Sequence, residues 1–548
     1  MQRMYLLAVL SLCAPTFAQS PEARFTDWPQ RTTVRGTVAV GGSECDRTLV
    51  RKLIDDDVTE VCFVELPSAA EASTSLRQQI AQSDWEQSVI EFRQFDQFAE
   101  WLRDVNRHFE AGSRRVSIIG VNSDAAAKQL RQIRKPLQKF VQDRNSVVLL
   151  GTHAAVGAER YSAAERPDYW ALGCGLIPDS VCCQRLVEDQ RPSLDSVLKL
   201  HAGHFGIDLP EDALLVLNGR KFRVLSEASV SFELPAQRNG DARRQLLVKQ
   251  SSARQDPNQY LVDLTEWRRC AIERTLDPFP AANPDPPIVS AGRLFVVGGG
   301  RMPEGLMQQF VEAAGGPEQA KLVYVPCTES ETVSPRQGIL SAWKRMGVRH
   351  ASVLHTKNRV RANTDDEFYR PLKDATGIWF GGGRQWNFAD SYYGTTTHRL
   401  MHDVLKRGGV IGGSSAGASV QGRYLARATP IQNFRIMAPG YERGGLGFLT
   451  GVAIDQHFTQ RGRQPDLRQL VETYPQLLGI GIDEGTAIIV RGSEADVVGE
   501  GTVSFYDRRF SDRPPNEMVL SAGQRFDLVE GTIIERPEID AETKVDLQ

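Results

Sequence analysis

The sequence predicts an α/β protein built as two tandem three-layer α/β/α domains, each a mainly parallel sheet covered by helices on both faces. Three observations lead there. Short β-branched runs end in glycine or a turn residue, helical stretches with apolar residues at three-to-four spacing lie between them, and the same series of runs returns in the second half. At 548 residues the chain also exceeds what one ordinary core organises.

The elements pair across the chain in order. Thr37–Ser43 (TVAVGGS) corresponds to Leu294–Gly300 (LFVVGGG), and Cys62–Ser68 to Leu322–Thr328. Val116–Asn122 (VSIIGVN) matches Gly377–Gly383 (GIWFGGG), and Val148–Ala154 (VLLGTHA) matches Val410–Ala416 (VIGGSSA). Later, Gly206–Asp208, Ala213–Val216 and Val230–Phe232 echo Gly481–Asp483, Ala487–Val490 and Val503–Phe505. Shared order on both sides of one divider predicts a duplication. The divider is Leu276–Pro287, with five prolines in twelve residues, which suits an extended linker and neither a helix nor a central strand. Helices are predicted at 304–314 and 399–407, and hairpins at 487–507 and 518–530. The expected layout is a signal peptide at 1–18, a first domain at 19–275, the linker at 276–289 and a second domain at 290–548.

Arg3, the apolar run Met4–Cys13 and the small-residue pattern Thr16-Phe17-Ala18 read as a cleavable secretory leader. The mature chain is therefore expected to be secreted or periplasmic. No segment reaches the ~20 apolar residues of a membrane helix. A net charge of −3 without a basic arm gives no nucleic-acid signature. Of eight cysteines, seven follow the leader; they lack partner histidines at zinc-ligand spacing, so structural cysteines are expected and no metal or cofactor.

Gly413-Ser-Ser-Ala-Gly417 follows an apolar strand and opens a run of small residues, the strand–turn–helix context of a G-x-S-x-G nucleophile elbow. Glycines let the chain bend sharply so that Ser415 projects its Oγ above the sheet, with the Ala416 N–H toward a developing oxyanion. A serine nucleophile needs a base. Beyond Ser415 the chain has one histidine, His457, after a short apolar strand. Two acids could orient it: Glu484, which ends another apolar strand and so shares the sheet edge, and Glu442, in a glycine-rich loop. Glu484 is the preferred one.

The runs Val410–Ala418 (VIGGSSAGA), Asp455–Arg461 (DQHFTQR) and Gly479–Ala487 (GIGIDEGTA), in this order and spacing, resemble cyanophycinase, which with the aspartyl dipeptidases forms the serine peptidase family S51. The resemblance covers about residues 293–508. It implies a flavodoxin-like, class I glutaminase amidotransferase-like fold, with Ser415 as nucleophile, His457 as base and Glu484 as orienting acid. It further implies an oxyanion hole from Ala416 with Gly382 or Gly383, and a substrate pocket lined by Gln385, Asp455, Gln456, Arg461 and Arg463. The implied reaction is release of β-aspartyl-arginine dipeptides from cyanophycin through an acyl-enzyme. Arginines suit the carboxylates of a poly-aspartate backbone, and Asp455 suits a substrate guanidinium. The family pattern continues with an arginine where this chain has Asp466, a carboxylate expected to repel an aspartate-rich substrate. That leaves a related peptidase on other aspartyl or β-aspartyl peptides as an alternative, beside an ordinary esterase and a peptide-binding scaffold without activity. In the first half, His153 takes the place of Ser415 and Gln184 falls near that of His457, so this domain is expected to be a degenerate, non-catalytic copy. The halves are expected to pack as an intrachain pseudo-dimer, leaving the protein monomeric.

Overall fold

The structure is a computed structural model that describes residues 34–46, 48–51, 53, 58–66, 89–107, 114–162, 170–185, 194–236, 244–248, 262–334, 337–430, 435–510 and 516–535. The leader read at residues 1–18 lies outside them. Among the described residues no helix is long and apolar enough to cross a membrane.

The second half is a mixed α/β unit around a nine-stranded sheet. From one edge its strands are His350–Val353, Lys321–Val325, Gly377–Phe380, Val410–Ser414 and Val289–Val297, all parallel. Thr486–Gly492, Glu494–Gly499, Arg525–Asp527 and Thr532–Ile534 then extend it antiparallel. The β-branched strand Val289–Val297 sits at the switch between the two regimes, with both edges paired and its last four residues buried. Apolar side chains cover both faces. Phe295, Phe310, Trp343 and Trp379 pack on one. On the other, the helix Thr396–Lys406 buries Met401, Val404 and Leu405, its first turn capped by the Thr395 side chain accepting from the His398 N–H.

A second, five-stranded sheet, in the order Gly422–Tyr424, Leu449–Gln456, Leu478–Ile482, Thr502–Asp507 and Asn516–Ser521, packs beside the first. The sequence reading did not separate it. The expected hairpin at 487–507 is a hairpin only through Gly499; Thr502–Asp507 leaves for the second sheet. Strand alternation shows that a segment is extended but not which sheet it joins.

The first half has the same strand order. Its larger sheet runs Val89–Gln94, Val58–Glu65, Arg114–Gly120, Ser146–Leu150, Val34–Gly41, Leu214–Gly219, Lys221–Val224 and Val262–Asp263, the first five parallel and the rest antiparallel. Its smaller sheet contains Ala158–Ser162, Ile177–Arg185, Phe205–Pro210, Val230–Leu234 and Arg244–Val248 in the order of the second half's smaller sheet. Each half has its own apolar core. Burial pushes the Cys174 thiol up to about 12 and Cys182 well above the usual range, so both are neutral packing groups.

The halves meet along the helix Leu264–Glu273, which lies on Gly440: a Cβ there would sit 2.8 Å from the Glu266 carbonyl. The proline-rich segment then straps the second half. Phe279 stacks on Tyr424 with centroids 5.9 Å apart, the Arg423 and Arg443 guanidiniums cover its ring, and Thr450 Oγ1 donates to the Pro286 carbonyl at 2.6 Å. At the same junction Glu273 faces Glu442. Burial, with the Glu442 charge beside it, raises the Glu273 carboxyl to about 7.

A raised carboxyl pKa means that the folded state holds a proton the unfolded chain has released. Stability from this group is therefore full below the ordinary value of 4.5 and is lost as pH rises through about 7. Glu273→Gln removes that titration. The melting temperature of the variant should gain on wild type by roughly 2–4 °C between pH 5 and pH 8 in thermal denaturation. Parallel pH profiles would show that Glu273 is not protonated in the folded chain.

Candidate active site

The site grows from one edge of the central strands. Val410–Ser414 pairs in parallel with Val289–Val297, placing Ser414 opposite Val297. The chain then reverses at Ser415, whose φ of 56° and ψ of −114° lie outside the usual regions for a side chain with a Cβ. Two glycines make the turn possible. A Cβ on Gly413 would fall 2.2 Å from the Gly417 carbonyl, and one on Gly417 would fall 2.2 Å from that of Phe380. The strained residue is tied by its own N–H to the Val297 carbonyl at 2.9 Å and by its carbonyl to the Ala418 N–H at 2.9 Å.

His457 follows the strand Leu449–Gln456, and Glu484 follows Leu478–Ile482, paired with it in the smaller sheet. Their side chains meet Ser415. His457 Nε2 is 2.8 Å from Ser415 Oγ, and His457 Nδ1 is 2.5 Å from Glu484 Oε1. Glu442, the other acid considered, is elsewhere, at the turn Glu442–Gly444 beside Glu273. All three site segments hang on one stretch of backbone. Successive carbonyls of Val297, Gly298 and Gly299 accept from the N–H groups of Ser415, His457 and Gly485, at 2.9, 2.8 and 2.9 Å. Gly299 must lack a side chain, because a Cβ would fall 2.3 Å from His457 Cε1. The sequence reading quoted Gly298–Gly300 only as a strand end; a run of three glycines at that edge was the available signal.

Asp483 was also missed. Its carboxylate accepts from the N–H and hydroxyl of both Thr459 and Thr502, at 2.6–3.0 Å. Burial pushes its pKa up, but these hydrogen bonds outweigh burial and hold it low. It thereby fixes the turn that follows His457. The imidazole itself is held below its ordinary value by burial, which outweighs the bond to Glu484, and the Arg461 charge pushes the same way as burial.

The loop Gly381–Gln385 lies across from Ser415. A Cβ on Gly382 would be 3.5 Å from Ser415 Cβ, so this backbone is at the nucleophile's side. Gly383 has a φ of 148°, and a Cβ there would come within 2.6 Å of the Cys327 carbonyl. Ala416 is buried as the first residue of the helix Ala416–Ser419, where a backbone N–H has no intrahelical acceptor.

Ser415 opens onto a cavity of about 570 Å³ walled by Gly383, Gln385, Gln456 and four arginines, Arg384, Arg427, Arg461 and Arg463. A larger hollow of about 770 Å³ along the helix Phe95–Arg107 holds no serine or cysteine among its walls. Of the residues expected to line a substrate pocket, Gln385, Gln456, Arg461 and Arg463 are in this wall, with the Gln385 amide donating to the Ala426 carbonyl at 2.8 Å. Asp455 does not. Its side chain is only 1% exposed, and its carboxylate is occupied by Arg427 Nε at 2.9 and 3.0 Å and by Arg463 at 3.0 Å. It holds two pocket arginines in place instead of meeting a ligand. Asp466, expected to repel acidic ligands, is bonded to Arg427 at 2.7 Å, so its charge is matched within the protein. Arg384 and Arg427 were not singled out from sequence. Arg384 lies inside the glycine-loop motif, whereas nothing local marks Arg427, which reaches the cavity from a left-handed turn (φ 54°).

In the first half, His153 precedes the short helix Ala154–Gly157 as Ser415 precedes Ala416–Ser419. It is buried, with Nδ1 3.0 Å from Thr152 Oγ1, while the Gln184 amide donates to the Gly151 carbonyl at 2.5 Å and accepts from the Ala155 N–H at 3.2 Å. Among the described residues Glu159, Asp179 and His204 converge closely enough to share a cation. Arg268 already bonds Asp179 at 2.6 Å, and His204 Nε2 lies 3.4 Å from Glu159.

Residues 294–498 match the model of peptidase family S51. A cyanophycinase of Geminocystis herdmanii is 29% identical over 204 residues, covering 37% of this chain and 74% of that protein. A cyanophycinase of Synechococcus elongatus is 30% identical over 214 residues, covering 37% of this chain and 63% of that protein. The crystal structure of a peptidase from an acI-B1 Actinobacterium is 24% identical, covers 43% of this chain and 97% of that one, and superposes with a TM-score of 0.32.

In an NMR titration the His457 ring should inflect below its ordinary value of 6.5. Arg461→Gln should move that inflection upward, because it removes a neighbouring positive charge. An inflection above 6.5 in the unmodified protein, or a downward shift in the variant, would contradict this account of the site's electrostatics.

Proposed function

We propose, from the premise that residues 294–498 form a serine-type peptidase domain of family S51, that this chain hydrolyses an aspartyl isopeptide through an acyl-enzyme at Ser415. The observation that carries the reading is the relay from Ser415 Oγ through His457 to Glu484, at 2.8 and 2.5 Å, beside a glycine loop. His457 Nε2 takes the serine proton as Oγ attacks the carbonyl carbon, and Glu484 stabilises the imidazolium. The N–H groups of Ala416 and of Gly382 or Gly383 receive the oxyanion. His457 then protonates the leaving amine, and water, deprotonated by the same ring, releases the acid product.

The substrate we propose is cyanophycin, cleaved to β-aspartyl-arginine dipeptides, in keeping with the named relatives. A specific observation favours a second reading. The cavity wall holds four arginines, while Asp455 is withdrawn behind them. Such a wall suits a ligand presenting carboxylates better than one presenting a guanidinium, so other aspartyl or β-aspartyl peptides fit it as well. Incubation with cyanophycin and with a panel of β-aspartyl peptides distinguishes the two by which one is turned over.

We further propose that the halves arose by duplication, that the first is non-catalytic, and that the chain is exported and monomeric. The common strand order and the replacement of the serine–histidine pair by His153 and Gln184 support the first two statements. The leader-like residues 1–18 support export.

Ser415→Ala should lower kcat on the substrate identified by about 10⁴-fold or more without loss of fold, and Ser414→Ala far less. Glu484→Gln should slow turnover much more than Glu442→Gln, because only Glu484 touches the imidazole. Steady-state kinetics of the four variants check this. More than a tenth of wild-type kcat in Ser415→Ala would remove it as nucleophile.

A further inference from the structure

We infer that the first half sets the position of the oxyanion loop, with Arg269 and Arg220 acting as positioning residues through Asp390; this rests on the reading of Ser415 as nucleophile. The loop Gly382–Gln385 runs directly into the helix Trp386–Tyr392, all seven residues of which are buried. Asp390, in its last turn, is 2% exposed. A carboxylate so deep stays ionised only if cations face it. Two that do come from the other half of the chain. Arg269 Nη2 is 2.7 Å from Asp390 Oδ1, and Arg220 Nη1 is 3.8 Å from Oδ2.

Both arginines are themselves fixed. Arg220 forms a bidentate pair with Asp263, 2.8 Å on each arm, donates to the Tyr441 hydroxyl, and lies 5.5 Å from the centre of the Trp386 ring. Arg269 is fully buried, 4.6 Å from the centre of the Tyr441 ring. The catalytic half holds the rest of the helix. Arg359 donates to the carbonyls of Ala389 and Tyr393 at 3.3 and 2.6 Å, and Lys357 donates to that of Asn387 at 3.1 Å. At the start of the helix, the Asn387 backbone and side-chain N–H groups both bond the Arg384 carbonyl, at 2.9 and 3.1 Å. Displacement of Asp390 is thus passed along two rigid turns to the residues beside Ser415. Loss of a positioned oxyanion donor lowers the rate of attack without touching the serine–histidine–glutamate relay.

The test uses the full-length chain and a fluorophosphonate probe, whose reaction needs the activated serine and its oxyanion donors but not the natural substrate. The maximal phosphonylation rate, the half-saturating probe concentration and the pH inflection are measured for wild type, Asp390→Asn, Arg269→Met, Arg269→Lys and the Asp390→Asn/Arg269→Met double variant. Circular dichroism gives the folded fraction. Asp390→Asn and Arg269→Met should each lower the maximal rate by about tenfold or more, with half-saturation and pH inflection unchanged. Arg269→Lys should recover most of the rate, and the double variant should be no slower than the slower single one. Where Arg269→Met does not fold, Asp390→Asn carries the test alone. Rates within about twofold of wild type in folded variants, a loss that follows the folded fraction, or a moved pH inflection would each overturn the positioning role. An unreactive wild type would overturn the nucleophile reading and this inference with it, whereas a reactive wild type with unaffected variants overturns this inference alone.

Discussion

Three consecutive backbone carbonyls, those of Val297, Gly298 and Gly299, are the rack on which the candidate site hangs. They receive the N–H groups of Ser415, His457 and Gly485, which belong to three chain segments spread over seventy residues. Backbone hydrogen bonds of this length hold their groups to a narrow range, and here two belong to relay residues themselves and the third to the neighbour of Glu484. The register of Val289–Val297 against Val410–Ser414 therefore decides whether the three side chains meet. A one-residue slip would carry Ser415 to the wrong carbonyl and turn the strand's side chains to the opposite face.

The same stretch explains the glycines. Where a strand end serves as a rack, its own side chains would occupy the volume the mounted groups need. At Gly299 that volume belongs to the His457 ring, and at Gly300 a Cβ would approach Glu484 Cβ to 2.8 Å. Strain falls on two of the mounted residues. Ser415 and His457 both have positive φ, and each is held there by a hydrogen bond to the rack together with burial of the next residue, Ala416 and Phe458.

Around this centre charge is organised in two layers. Arginines form the wall of the cavity, and acids stand behind them: Asp455 behind Arg427 and Arg463, and Asp466 against Arg427. The acids fix guanidinium orientation and lessen repulsion between like charges crowded round one cavity. A similar logic recurs at the junction of the halves, where Asp263 and Asp390 hold Arg220 and Arg269. Polar pairing in such dry surroundings is costly to break, so both networks favour one arrangement of the elements they join.

Much of this was legible in the chain itself, because it depends on local rules. Short apolar runs ending in glycine identified the parallel strands, and Gly413-x-Ser415-x-Gly417 identified the sharp turn, since only glycine tolerates the contacts found there. A lone histidine after a buried strand pointed to His457, and the shared edge of strand ends in a parallel sheet favoured Glu484 over Glu442 as its partner. Other features were decided only by tertiary structure. The pairing of Asp455 with Arg427 and Arg463, the matching of Asp466, the rejection of Glu442 as His457's partner and the division of strands between two sheets all depend on which distant segments come to lie together. Residue type and spacing state what a side chain can do; whether a carboxylate faces a cavity or a neighbouring guanidinium is set by long-range packing, to which no local pattern is tied.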